Sequence, residues 1–120
     1  MSLPADYHMH TPLCHHAKGE PWELAAQAVE KGLTEIGFSE HNPMIRDDWD
    51  DWHMVMDDMN EYVENVRKAQ NDFPELQVKL ALEVDYIPGH EDWVRELESK
   101  RSFDYFIGSV HYITDEFDID

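Results

Sequence analysis

PWELAAQAVEKGLTEIGFSEHNP, residues 21–43, changes its hydrophobic period once, and that change decides the architecture. In the first half Trp22, Leu24, Ala25, Ala26, Ala28 and Val29 make a broad apolar face. Pro21 sits near the first turn, where a missing N–H costs nothing, and Gly32 supplies a C-terminal stop. The second half reads as a strand of about four residues, Glu35–Phe38, followed by the polar triplet Ser39, Glu40 and His41 and stopped by Asn42-Pro43.

The same alternation runs outward from this segment. Upstream, Ala5–His10 is a short strand that ends in a loop carrying Cys14, His15 and His16. Downstream, Met54–Gln70 places Val55, Met56, Met59, Tyr62, Val63, Val66 and Ala69 at three- and four-residue steps, a second helix. Val78–Tyr86 alternates and is rich in strand formers, closed by Pro88 and Gly89. A short helix over Glu91–Ser99 leads to a fourth strand, Tyr105–His111. The order βαβαβαβ, with crossovers long enough for helices, predicts an α/β fold of about four parallel strands with helices packed on the sheet. Right-handed crossovers then place every strand C-terminus on one rim.

Composition narrows the function classes. The 120 residues bound one domain, and 27 acidic against 9 basic residues give a formal charge of -18. That charge repels phosphate backbones and anionic lipid, so neither nucleic acid nor a membrane is an expected partner. No apolar run is long enough to span a bilayer, and the first residues lack a signal-peptide pattern. A single cysteine excludes an intrachain disulfide framework, and a cytoplasmic location is expected.

DYHMHTPLCHHA, residues 6–17, holds four histidines in twelve positions. A tag or a solvated histidine-rich loop would not be preceded by a strand and matched by histidines elsewhere. A zinc finger needs a second cysteine, and Cys14 reads as a small packed or partly exposed thiol rather than a ligand. Instead, four strands each deliver histidine or carboxylate to the same rim: His8 and His10, His41, Glu83 and Asp85, and His111. Imidazole with carboxylate suits zinc, iron or manganese, and a carboxylate such as Glu83 can bridge two cations. Ions a few Å apart would activate a water and neutralise a transferring phosphoryl group, the chemistry of a hydrolase. By period Asp6 shares the face of His8 and His10 and lies deeper, so it is expected to orient a ligand imidazole, and Glu40 beside His41 likewise. His53 and His90 read as surface or helix-start residues, and the charge run Arg46–Asp51 as solvated. Trp49 and Trp52 suit either a substrate cover or a cap on the core.

DYHMHT with His16 eight positions after His8, then GFSEHNP, LALEVDY and IGSVHYI, resembles the ordered motifs of the PHP (polymerase and histidinol phosphatase) superfamily, most closely its histidinol-phosphate phosphatase branch. The resemblance implies a distorted (β/α)7 TIM-like barrel, of which this chain would be the N-terminal part. It further implies two to three divalent ions (zinc, manganese or iron) and hydrolysis of a small phosphomonoester by a metal-activated hydroxide, with L-histidinol phosphate as the expected substrate. Carried over by position, His8, His10 and Glu83 would bind one ion, Glu83 would bridge to a second held also by His111, and His16 with His41 would hold a third. Asp85 lies outside that ligand pattern.

Family members run to about twice this length, and their later motifs supply another histidine and an Asp-x-His pair that this sequence lacks. The expectation is therefore that a missing C-terminal half, or a second copy meeting it edge to edge, completes the barrel. Two alternatives stay open: a PHP-type nucleotide phosphatase, and a catalytically inactive metal-binding or assembly module. An exonuclease-like role is opposed by the negative charge.

Overall fold

A computed structural model describes residues 5–14, 17–46, 48–110, 112–114 and 117–118. Four strands, β1 (Ala5–Met9), β2 (Glu35–His41), β3 (Gln77–Asp85) and β4 (Tyr105–Ser109), form one sheet in the order β1-β2-β3-β4, and every pairing is parallel. The crossovers run through α1 (Pro21–Glu30), α2 (Met59–Asp72) and α3 (Glu91–Lys100). This is the expected four-stranded portion of a TIM-like barrel. A short antiparallel pair, β5 (Tyr112–Thr114) with β6 (Phe117–Asp118), follows the sheet.

Local chemistry explains the helix ends. The Glu23 side chain accepts the Glu20 backbone N–H at 3.0 Å, and Pro21 opens α1. At the other end the Leu33 N–H reaches the Ala28 carbonyl at 2.9 Å, a closure that requires the left-handed residue between them, Gly32 at φ 81°. The helix α2 starts five residues later than its apolar pattern suggests. Just before it Met56–Asp58 forms a single 3-10 turn, and further upstream Asp50 accepts the backbone N–H groups of Trp52 and His53 at 3.1 and 3.0 Å, which turns the chain ahead of the helical pattern.

The core lies between the helices and one face of the sheet. Ile36 and Phe38 of β2 and Val78, Leu80, Leu82 and Val84 of β3 meet Ala25 and Ala28 of α1, Tyr62, Val63, Val66 and Ala69 of α2, and Leu97 of α3. Strand β2 runs through the polar triplet to His41 because Ser39, Glu40 and His41 pair with Ala81, Leu82 and Glu83 and are all buried. Its polarity marks chemistry inside the sheet, not the end of a strand.

On the opposite, inner face Tyr105 lies across Gly37, where a Cβ would fall 1.9 Å from the phenol oxygen. The outer strands are the unpaired edges of this sheet, and Tyr7, Phe106 and Val110 remain 40–53% exposed there. No described helix is long and apolar enough to cross a membrane.

Tyr62 ties α2 to the sheet backbone. Its ring is fully buried, and its hydroxyl lies 2.8 Å from the Phe38 carbonyl and 2.5 Å from that of Ala81 and accepts the Glu40 N–H at 3.3 Å. Burial drives the phenol pKa well above its ordinary value, so the group stays a donor. Tyr62→Phe strands these buried partners and should lower unfolding stability by about 1–3 kcal/mol. Urea denaturation should show the loss as a lower midpoint at unchanged slope; an unshifted midpoint would remove the bridging role.

Candidate metal centre

Strand ends bring the histidines together. His41 is the last residue of β2, Glu83 sits directly opposite it on β3, and Asp85 follows two residues later on the same face. His8 lies near the end of β1 and His10 one residue beyond it. A bulge in β1 sets the three steps from Asp6 to Met9 against the two steps from Ile36 to Phe38. It turns His8 and His10 toward Glu83.

The same bulge overturns the reading of Asp6. Asp6 pairs with the core residue Ile36 and lines a groove with Met9, Leu24 and Lys31 on the helix side. Its exposed carboxylate accepts the His8 backbone N–H at 3.0 Å, so it supports the turn and not an imidazole.

Three ligand atoms converge. Glu83 Oε1 meets His8 Nε2 in a very short contact and lies 3.2 Å from His10 Nε2, while the two imidazole nitrogens are 3.0 Å apart. Nitrogen and oxygen ligands of a tetrahedral zinc, at bond lengths near 2.0–2.1 Å, stand about 3.3 Å from one another. The donor set suits a divalent cation, and the two His10 distances lie near that spacing, whereas His8 and Glu83 are in direct contact. The second oxygen of Glu83 faces His41 Nδ1 at 3.3 Å, so the carboxylate divides between two groups of imidazole.

Glu40 works differently from its expected role. As a β2 residue it points to the face opposite His41, where it is fully buried. It accepts the Thr11 N–H and hydroxyl, each at 2.6 Å, and its other oxygen lies 3.5 Å from His10 Nδ1. Glu40 thus braces His10 and the loop behind it, and it meets its own neighbour only through the His41 backbone N–H, which it accepts at 2.9 Å. Cys14 is buried, its thiol donating to the Thr11 carbonyl at 3.2 Å, though it also lies within ligand reach of His10 and Glu40.

Environment separates the imidazoles. Burial, reinforced by the neighbouring His10 and His53 rings, pushes His41 down to about 3 despite Glu83. Burial also disfavours a charge on His10, but hydrogen bonds with Cys14 and Glu83 and the charge of Glu40 raise it to about 10. For Glu83 burial opposes ionisation, yet the His10 hydrogen bond and the other imidazoles outweigh it and bring the carboxyl to about 2.

Of the sequence-predicted ligands, His8, His10, His41 and Glu83 lie together, while His16 and His111 fall outside the described residues, as does His15. His53 is a miss. It is buried at 4% exposure, its Nδ1 lies 2.8 Å from Asp50, and its Nε2 makes a very short contact with Asp85. Burial opposes its protonation, but the hydrogen bonds to Asp50 and Asp85 raise its pKa. The usable signals were Asp50 three residues before His53 and Asp85 two residues after Glu83. Trp49 and Trp52 pack against Met44 and Ile87, and the Trp52 ring stands edge-on to His41 at 4.8 Å.

Fold and site together define a parallel α/β half barrel with a histidine–carboxylate cluster on its C-terminal rim. The chain belongs to the PHP domain family, which it matches over residues 6–119. It is 42% identical over 111 residues to a Deinococcus radiodurans protein named "Probable histidinol-phosphatase", covering 90% of this chain and 42% of that protein. The fold matches the hisK protein of Listeria monocytogenes with a TM-score of 0.82 at 24% identity, over 92% of this chain and 46% of that one. It also matches the Lactococcus lactis histidinol phosphate phosphatase, solved with zinc, L-histidinol and phosphate, with a TM-score of 0.79 at 25% identity, over 92% of this chain and 41% of that one. The chain therefore spans less than half the length of each.

A ring that holds a proton must release it before it can ligate. Zinc binding near pH 7 should thus expel a proton from His10, raised as it is to about 10. Calorimetry in buffers of differing ionisation enthalpy should give binding heats that scale with the buffer. Buffer-independent heats would mean a ring already neutral.

Proposed function

We propose that residues 1–120 form the N-terminal part of a PHP-domain phosphatase that hydrolyses a small phosphomonoester, with L-histidinol phosphate as the favoured substrate. The observation that carries this reading is the convergence of His8 Nε2, His10 Nε2 and Glu83 Oε1 as a metal-ligand donor set. The resemblance to the zinc-, histidinol- and phosphate-bound Lactococcus enzyme supports the choice of substrate. Completion of the barrel would fall to further PHP-domain strands or a second copy, in keeping with the open edges of β1 and β4.

His8, His10 and Glu83 would hold one divalent ion, zinc, manganese or iron. Glu83 would bridge to a second held by His111, and His16 with His41 would hold a third. Bound there, such ions supply an activated water and charge neutralisation for the phosphoryl oxygens. The protein's part is positional. Glu40 fixes the His10 ring through Nδ1, which aims Nε2 at Glu83. Trp52 beside His41 shields that ring from water. Burial keeps His41 neutral and so able to ligate without first losing a proton.

A panel of phosphomonoesters, assayed for released phosphate with added zinc or manganese, tests the reading. L-histidinol phosphate should be turned over fastest, ahead of nucleoside monophosphates. Glu83→Ala should cost more than the roughly 10–100-fold typical of outer-sphere changes, because it removes a ligand, and should lower bound metal per chain. Preference for a nucleotide would move the substrate class. Bound metal without turnover of any ester would leave an inert metal-binding module.

A further inference from the structure

The bulge that turns β1 toward Glu83 is held from outside its own strand. A bulge breaks the ladder, so backbone groups inside it need other partners. Tyr7 and His8 lie in that gap, between the pairs Asp6–Ile36 and Met9–Phe38. The Tyr7 carbonyl accepts two hydroxyls, that of Tyr105 on β4 at 2.5 Å and that of Ser39 on β2 at 3.2 Å. At the other end of the same peptide the His8 N–H donates to Asp6 Oδ1 at 3.0 Å. One peptide plane, directly before a ligand, is thus fixed at both of its polar atoms.

We infer that Tyr105, acting with Ser39 through the Tyr7 carbonyl, is a positioning residue for the metal ligands His8 and His10. This role rests on the reading of the rim as a metal centre, and it brings to that centre a hydroxyl from β4 that ligates nothing itself.

The contact spans the whole sheet. β1 and β4 are its outer strands, and three spacings of about 4.8 Å would part them if it were flat. A single phenol closes that gap only because the sheet curls, so the hydrogen bond ties the curl to the strand that carries both imidazoles. Gly37 keeps the route open. A Cβ there would fall 1.9 Å from the phenol oxygen and 2.8 Å from the ring carbon that bears it. Gly37 is not among the glycines with positive φ, so what it supplies is space for a crossing side chain, not backbone freedom. Burial, with the charges of Asp6, Asp104 and Glu35 around it, pushes the phenol up to about 12, so the hydroxyl keeps the proton it donates.

His8 depends most on this support. Its side chain is 52% exposed on an edge strand, so packing does little to aim the ring and the backbone must set it. Ligand geometry has to be held to about 0.5 Å. A turn of the peptide before His8 would swing its imidazole away from Glu83 and carry the frame of His10 with it. Glu40 fixes the His10 ring at Nδ1, while the two hydroxyls fix the chain from which that ring hangs.

Tyr105→Phe deletes the hydroxyl and keeps the ring, with its edge contact to Tyr7 at 5.9 Å between centroids. In zinc titrations against the unmodified chain this variant should bind about 10–100-fold more weakly, with circular dichroism unchanged. The visible spectrum of bound cobalt(II), which follows ligand geometry, should change as well. A hydroxyl that merely stabilised the fold would move neither readout. Ser39→Ala should weaken zinc in the same direction and by less. Unchanged zinc affinity and cobalt spectrum in Tyr105→Phe overturn the positioning role and leave the metal centre standing. Should that variant fail to fold, Ser39→Ala decides, and unchanged values there overturn the role. An unmodified chain that binds neither zinc nor cobalt overturns the metal reading of the rim and this inference with it.

Discussion

Glu83 is a carboxylate carried into the interior of a parallel sheet, at 4% exposure, and the cost of holding it there organises its surroundings. Removing an ion from water costs several kcal/mol unless partners replace the lost hydration. Glu83 meets that demand by splitting its oxygens, Oε1 to His8 and His10 and Oε2 to His41. His41 is also its register partner across β2 and β3. A slip of β3 by one residue would send Glu83 to the apolar helix face and away from His41, so the side-chain chemistry and the strand pairing specify the same register.

The dependence runs outward in shells. His10 reaches Glu83 only because the β1 bulge restores its face and because Glu40 stands behind its Nδ1. Glu40 in turn is held by Thr11, two groups at 2.6 Å, and the Tyr62 hydroxyl anchors the backbone of the same residue. A buried carboxylate on each face of β2 and β3 thus locks one loop and one helix to the sheet. His8 is the exception. It sits on an edge strand with its side chain 52% exposed, so its place depends most on whatever pairs with β1.

Periodicity made the architecture legible, since helix and strand patterns alternate cleanly from Ala5 to Ser109 and the crossovers admit only a parallel sheet. What it could not show was where polarity continues a strand. Ser39, Glu40 and His41 look like a loop because strand interiors are usually apolar, yet both faces of β2 are covered. Asp6 was misplaced for a related reason: strict alternation assumes no bulge, and one inserted residue inverts the face of everything before it. The convergence of His8, His10, His41 and Glu83 was visible because strand ends are unusual places for histidine and glutamate. His53 was hidden because it sits in a stretch rich in aspartate that reads as a solvated loop, whereas its partner Asp85 is 32 residues away.

The contrast between His10 and His41 shows how one sheet gives a single residue type two characters. Their rings stand 4.3 Å apart, edge to face. His10 faces Glu40, Glu83 and the Cys14 thiol, and these overcome burial, so the metal-free ring carries a proton. His41 is buried and flanked by His10, His53 and the Trp52 ring, and burial with those two imidazoles outweighs the nearby Glu83 and Asp85 carboxylates, so it stays neutral. Strand geometry contributes to the difference: Glu40, next in sequence to His41, is on the opposite face and cannot offer its charge to that ring's inner side. Two neighbouring imidazoles thus differ in how readily each holds a proton, through burial at His41 and the Cys14 and Glu83 hydrogen bonds at His10, with the charge of Glu40 adding to the second.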